Sequence, residues 1–299
     1  MRLWDPGAAA RVKSRVGLYA RLIRVEHTLF SLPFAAIGLL VARAVNAIVY
    51  LLAFISLFGL RTAAMAFNNV ADADIDALNP RTRLRPVVAG IVSEGEALAL
   101  VIGGLIVFYA SAYAICYQAL FYATPLAILA LSYPFAKRVH YLPHIHLGLV
   151  LGFSVFGGWV AGVCSKSCLV TLGYLLLHAP WAIILGVTLW VAGFDIIYSI
   201  MDYDADKRIG VKSIPVLLGP RGAARLALVL EALAAILWSI GGYQALGLPA
   251  LLSSVAAGAV ATLAALYANM NENLIPQAFK TNLVVGFIAL AGYIVAVVK

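Results

Sequence analysis

Long apolar runs separated by short polar stretches set the pattern of this chain. Nine runs of about 17 residues or more have the length of a membrane-crossing helix. They fall at about 27–43, 47–71, 95–113, 116–134, 144–163, 175–201, 222–241, 247–268 and 279–298. The pattern therefore predicts an all-α membrane protein of nine transmembrane helices, with one integral-membrane domain over 1–299. Ahead of the first run, residues 8–24 carry Arg11, Lys13, Arg15, Arg21 and Arg24, and are expected to lie as a basic helix on the membrane surface. No separate apolar core is visible in the first 25 or so residues, so the first span is expected to direct insertion.

Composition agrees: 64% of the 299 residues are hydrophobic and 11% charged, with a mean hydropathy of +0.98, which excludes an ordinary soluble domain. The formal net charge is +8. With the N-terminus inside, 17 of the 21 Lys and Arg residues fall on the cytoplasmic side, Arg43, Lys166 and Lys299 fall outside, and Arg61 lies within a span. The charge thus reads as topology and as attraction for anionic lipid or substrate, with no nucleic-acid partner.

Two polar interruptions differ from the rest. In Asn68-Asn69-Val70-Ala71-Asp72-Ala73-Asp74-Ile75-Asp76, the residues Asn68, Asp72 and Asp76 are spaced i, i+4, i+8, and on a helix they form one stripe drifting ~40° per step. Asp202 and Asp206 repeat the spacing, while Asp74 and Asp204 sit off the stripes and read as secondary or solvated charges. Each stripe ends an apolar span, near the negative pole of the helix dipole, where clustered acids repel one another unless something positive is bound. Oxygen-only ligands suit Mg2+. Basic loops follow both stripes: Arg81-Thr82-Arg83-Leu84-Arg85-Pro86, and Lys207-Arg208-Ile209-Gly210-Val211-Lys212-Ser213. Solvated helix faces and surface ion pairs are the ordinary explanation of such charges; a metal-bridged diphosphate site is the sharper one. The spans that carry the stripes are both even-numbered, so both deliver them to the cytoplasmic face.

Deeper in the membrane lie Arg61, seven residues before Asn68, and Asp195, seven before Asp202. Each sits ~10 Å below its stripe, and the two are expected to pair at the floor of a polar cavity. Tyr198 lies one turn from Asp202. His140, His144 and His146 read as interfacial residues. Cys164 and Cys168 have spacing that permits a disulfide if their side is oxidising, and Gly103-Gly104 and Gly157-Gly158 read as close-packing sites.

These residues resemble the UbiA superfamily of intramembrane aromatic prenyltransferases over essentially the whole chain. The first family motif matches Asn68, Asp72, Asp76, Arg81, Thr82, Arg85 and Pro86, and the second matches Asp202, Asp206, Arg208, Gly210, Lys212 and Ser213. Tyr133-Pro134-Phe135-Ala136-Lys137-Arg138 is similar to a loop of the 4-hydroxybenzoate branch. Asn69 departs from the family, where Asp is common, and Arg208 replaces a common Lys. The resemblance implies helices around a central cavity open to lipid, with a polyprenyl diphosphate donor and an aromatic acceptor such as 4-hydroxybenzoate. It implies metal ligands at Asn68, Asp72, Asp76, Asp202 and Asp206, holding two Mg2+ ions. Diphosphate-binding roles fall to Arg24, Arg81, Arg85, Lys207 and Lys212. Arg138 and Asp195 would bind the acceptor, and Tyr198 and Asp195 would join Asp72 and Asp202 in catalysis. Related enzymes use lipid or quinone precursors, prenylglyceryl phosphate and dihydroxynaphthoate among them, so the acceptor stays open. A cation transporter is the reading from another class, separated by whether the protein releases diphosphate from a prenyl donor.

Overall fold

A computed structural model describes residues 15–25 and 28–298; the expectation for residues 8–14 lies outside the described residues. The chain forms α1 (Arg15–Leu22), α2 (Thr28–Val41), α3 (Ala47–Ala71), α4 (Ala73–Leu78), α5 (Glu94–Ile115), α6 (Ala119–Val139), α7 (Pro143–Cys164), α8 (Leu172–His178), α9 (Trp181–Ser199), α10 (Tyr203–Ile209), α11 (Ile214–Leu246), α12 (Leu248–Met270) and α13 (Ile275–Val298). Eight of the described helical segments are long and apolar enough to cross a membrane. The first predicted span is the shorter α2, with 14 residues. The predicted run 175–201 divides at Ala179-Pro180 into α8 and α9, because proline cannot extend a helix that needs its N–H. The predicted run 222–241 is longer than expected: α11 begins at Ile214 and bends at Gly219 (φ 71, ψ 161), just before Pro220.

Local signals explain the ends that matter. Asn46 caps α3 by accepting from the Ile48 N–H, and Ser93 and Glu96 form a reciprocal capping box at the start of α5. Helix contact then depends on small residues. A Cβ on Gly104 would lie 2.6 Å from the Gly59 carbonyl oxygen, so α3 and α5 touch backbone to backbone, and Gly158 packs equally closely on Ala35 of α2. Of the two glycine pairs singled out in the sequence, Gly103 faces open space and Gly157 makes only ordinary contact. The main core joins α2, α7, α9, α11 and α13 around Phe34, Trp159, Trp190, Trp238 and Tyr293. Trp190 satisfies its indole N–H on Asn282 Oδ1 at 2.8 Å. Outside this core, Leu51, Ile102, Phe121 and Leu252 are exposed, as lipid-facing positions of an integral membrane protein must be.

The disulfide differs from the sequence expectation: Cys168 is bonded to Cys116, and Cys164 is free and buried. Cys164 ends α7 facing inward, whereas the loop after it is drawn to the α5–α6 turn. There the Val170 N–H donates to Gln118 Oε1 at 2.9 Å and the Tyr122 hydroxyl donates to the Val170 carbonyl. The four-residue spacing in sequence therefore loses to a contact across the fold.

Candidate active site

The two acidic motifs share one backbone device. Asp72 caps the end of α3, with φ −99 and ψ 3, and Asp202 repeats this conformation with φ −100 and ψ 0 at the end of a 3₁₀ turn over Ile200–Asp202. A residue in this bridge region bends the helix without ending the hydrogen-bond run; the Asp72 N–H donates to Asn68 O and the Asp76 N–H to Asp72 O. The stripes are thus bent rather than straight. Both bends point their acids into a single cavity of about 390 Å³.

Asn68, Asp72, Asp76, Asp202 and Asp206 all line that cavity. Asn68 Nδ2 donates to Asp72 Oδ2 at 2.8 Å, and Lys137 Nζ lies 2.7 Å from the same oxygen. Asp72 Oδ1 is buried without a hydrogen-bond partner. Arg85 pairs with Asp76 at 2.5 Å. Arg81 crosses between the motifs: its Nε and Nη2 reach Asp202 Oδ1 and Oδ2 at 2.7 and 2.5 Å, with Asn79 Nδ2 at 3.2 Å from Oδ1. Its guanidinium also sits 5.4 Å from the centre of the Tyr198 ring. Burial pushes the Asp72 carboxyl up from its ordinary value, and Lys137 pulls it partly back. Burial works to lower the Arg81 guanidinium, but the Asp202 hydrogen bonds outweigh it and hold it above the ordinary value.

Among the described residues no three His, Cys, Asp or Glu side chains close on one point, since cations stand between the acids. The donor set still fits Mg2+, which keeps several waters and needs only one or two carboxylates plus phosphate oxygens. The unpartnered Asp72 Oδ1 is an acceptor of the required kind, already on the cavity wall.

Loop chemistry completes the polar end of the cavity. Gly210 closes α10 at φ 83, a left-handed conformation that favours glycine. The chain then turns so that the Lys212 N–H donates to Lys137 O and Lys212 Nζ to Val139 O, both at 2.9 Å. Arg24 lines the cavity from a left-handed backbone position, φ 47. The departure at Asn69 has a physical reason: its Nδ2 donates to the Leu22 and Met65 carbonyls at 3.2 and 2.8 Å, which a carboxylate cannot do.

Three expectations need correction. Arg138 is absent from the cavity wall; it forms a two-pronged pair with Asp74, at 2.6 and 2.8 Å, and donates to Ala71 O. Its guanidinium holds the Asp74 carboxyl down at about 2. Lys207 also points elsewhere, exposed and 5.7 Å from the Tyr203 ring centre, because it is rotated ~100° along the helix from Asp206. Finally, Arg61 and Asp195 both line the cavity, but Asp195 pairs with His144, Nδ1 to Oδ2 at 2.7 Å. His144 is accordingly buried, 3% exposed, rather than interfacial. Arg61 makes no ion pair among the described residues, and its Nε is buried without a partner. Sequence reasoning also gave no role to Lys137 or Asn79, although Lys137 stands beside Arg138 in the quoted Tyr-Pro-Phe run and Asn79 precedes the Arg-Thr pair.

Comparison with known proteins agrees with this geometry. The UbiA prenyltransferase family model matches residues 31–292. A 4-hydroxybenzoate octaprenyltransferase of Methylococcus capsulatus is 32% identical over 241 residues, covering 79% of each chain. One from Yersinia pseudotuberculosis serotype O:1b is 29% identical over 284 residues, 93% of this chain and 95% of its own. Among solved structures, a UbiA homologue from Aeropyrum pernix K1 is 46% identical with a TM-score of 0.84, covering 90% of this chain and 98% of that one. A UbiA homologue from Archaeoglobus fulgidus bound to GPP and Mg2+ shares the fold, with a TM-score of 0.65 and 19% identity over 94% of this chain and 100% of that one. The family model over residues 31–292 and these relatives lead to one conclusion: the chain belongs to the UbiA prenyltransferase family.

Proposed function

We propose that this prenyltransferase moves a polyprenyl group from an isoprenyl diphosphate to an aromatic acceptor such as 4-hydroxybenzoate, with Mg2+, at the cytoplasmic side of the membrane. The observation that carries the reading is the convergence of both acidic motifs, with Arg81, Arg85, Lys137 and Lys212, on the polar end of a cavity whose remaining wall is largely apolar. The names of the relatives support the acceptor class, and the positive-inside charge distribution supports the orientation.

Asn68, Asp72, Asp76, Asp202 and Asp206 would hold two Mg2+ ions, and when bound Mg2+ supplies positive charge to the leaving diphosphate. Arg81, Arg85, Lys137, Lys212 and Arg24 bind the donor's phosphate oxygens. Three of these cations, Arg81, Arg85 and Lys137, neutralise carboxylates before the donor binds. As the allylic C–O bond breaks, its electron pair leaves with the diphosphate, and these residues stabilise the charge where it develops. The Tyr198 ring faces the allylic carbon and favours positive charge there. The apolar wall, with Leu57, Leu60, Phe108, Leu126 and Val150, receives the isoprenoid chain and excludes water from the cation. An acceptor carboxylate binds Arg61, a half-buried guanidinium of the cavity with no ion pair among the described residues, and the ring carbon beside the acceptor's hydroxyl forms the new C–C bond. The test is to offer purified protein in lipid a labelled polyprenyl diphosphate with competing 4-hydroxybenzoate, dihydroxynaphthoate and geranylgeranylglyceryl phosphate. Prenylated 4-hydroxybenzoate as the main product supports the reading, and label on one of the other acceptors alone refutes it.

A further inference from the structure

His144 and Asp195 belong to neither motif, yet both line the reaction cavity. His144 opens α7 directly after Pro143, and its buried ring bridges three elements. Nδ1 meets Asp195 Oδ2 on α9 at 2.7 Å, and the Ile214 N–H at the start of α11 donates to Nε2 at 3.4 Å. With Nε2 accepting, the ring carries its proton on Nδ1 and donates it to Asp195. Asp195 is thereby fixed in rotation, with Oδ1 outside the His144 contact.

The other cavity groups are unsuited to receive a proton from an acceptor. Asp72, Asp76 and Asp202 are held by Lys137, Arg85 and Arg81 at the phosphate end, and Asp206 lines the same end, one turn beyond Asp202 and further from the floor of the cavity. Arg24 and Arg61 are cations, and Tyr133 and Tyr198 are neutral hydroxyls. Asp195 lies ~10 Å deeper than Asp202, beyond the diphosphate, where an acceptor ring must sit to reach the allylic carbon.

We propose that His144 is a positioning residue that holds Asp195 to take the hydroxyl proton of the aromatic acceptor. The inference rests on the aromatic-acceptor reading above. As the ring carbon bonds to the allylic carbon and the C–O electron pair leaves with the diphosphate, the hydroxyl proton passes to Asp195 Oδ1, giving a neutral dienone. The ring C–H proton then leaves to the departing diphosphate, and Asp195 returns its proton to the oxygen. One proton is released per turnover, and Asp195 ends as it began.

Two variants of similar size separate positioning from packing. In His144→Asn the amide N–H falls where the ring has Nδ1; in His144→Gln it falls where the ring has Nε2. Kinetics are measured in lipid vesicles with Mg2+ and geranyl diphosphate, using 4-hydroxybenzoate and 3-fluoro-4-hydroxybenzoate, whose hydroxyl is more acidic and whose other ortho carbon is free. His144→Gln should lower kcat on 4-hydroxybenzoate ~100-fold, the scale of general base catalysis, with the KM for the donor unchanged. The loss should shrink to ~10-fold on the fluorinated acceptor, and His144→Asn should stay within ~5-fold of the wild type. Equal losses on both acceptors, or equal damage from Asn and Gln, would overturn the proposal while leaving the aromatic reading intact. A wild-type protein that releases diphosphate but prenylates neither acceptor would overturn both.

Discussion

Removing Arg81 tests whether the two motifs form one site, because Arg81 follows the first motif and binds the Asp202 carboxylate of the second with two hydrogen bonds at 2.7 and 2.5 Å. The magnitude follows from burial. The Asp202 side chain is 11% exposed, but that of Arg81 is 36% exposed, so solvent screens one member of the pair. A fully buried pair broken on one side costs ~3–5 kcal/mol and an exposed one under ~1 kcal/mol. We place this pair at about 2 kcal/mol, with Asn79 still donating to Asp202 in the variant. In Arg81→Leu the carboxylate is stranded; in Asp202→Leu the guanidinium is stranded; in the double variant neither charge remains. Thermal unfolding in metal-free lipid nanodiscs should therefore show a double variant about 4 °C above the additive expectation, at about 2 °C per kcal/mol for a chain of this size. Adding Mg2+ and diphosphate should reduce the coupling, as Arg81 turns to phosphate. Coupling below ~0.5 kcal/mol in the metal-free protein would show that the motifs do not meet through this pair.

Other consequences are more local. Arg61→Leu should raise the KM for a carboxylated acceptor ~10-fold or more, the scale of one charged hydrogen bond, whereas Arg138→Ala should change it less than ~3-fold; steady-state kinetics decide, and the reverse order would restore Arg138 as the acceptor ligand. Gly104→Ala should cost ~1–3 kcal/mol by overpacking, since its Cβ would lie 2.6 Å from Gly59 O and 2.8 Å from Ala63 N. Gly103→Ala, which meets nothing within 4 Å, should leave the melting temperature almost unchanged. For Asp74, Arg138 lowers the folded-state carboxyl pKa from 3.8 to about 2. A depressed acid pKa contributes stability above its unfolded value and loses it as pH falls. The melting temperature of the wild type should therefore drop toward that of Asp74→Asn between about pH 5 and pH 2, with a constant gap at higher pH.

Much of this architecture is legible in the sequence because lipid makes strict demands. Spans must be apolar and helical, and the acids that interrupt them sit at helix ends, so Asn68, Asp72, Asp76, Asp202 and Asp206 stand out from the residue pattern alone. Pairings across the fold are less legible. Spacing suggests Cys164 with Cys168 and Arg61 with Asp195, but the loop around Val170 turns Cys168 toward Cys116, and α7 brings His144 to Asp195 first. Direction is also hidden: Lys207 and Asp206 are neighbours in sequence, and one turns to solvent while the other turns to the cavity. The bends at Asp72 and Asp202 leave no compositional trace, since they follow from backbone angles that many residues adopt. Asn69 shows the opposite case, where a visible departure from a family pattern is explained only by the Leu22 carbonyl that packing places beside it.

The central claim is that both carboxylate motifs act on one diphosphate through a divalent cation. Rapid-quench measurement of diphosphate release from a labelled prenyl donor, in lipid and with Mg2+ titrated against a chelator, tests it most directly. Release by the wild type should follow Mg2+ and vanish in excess chelator, and Asp72→Ala and Asp202→Ala should each lower the rate at least ~100-fold at saturating donor while their melting temperatures show a folded protein. Full-rate release in chelator, or loss in only one of the two variants, would contradict the claim.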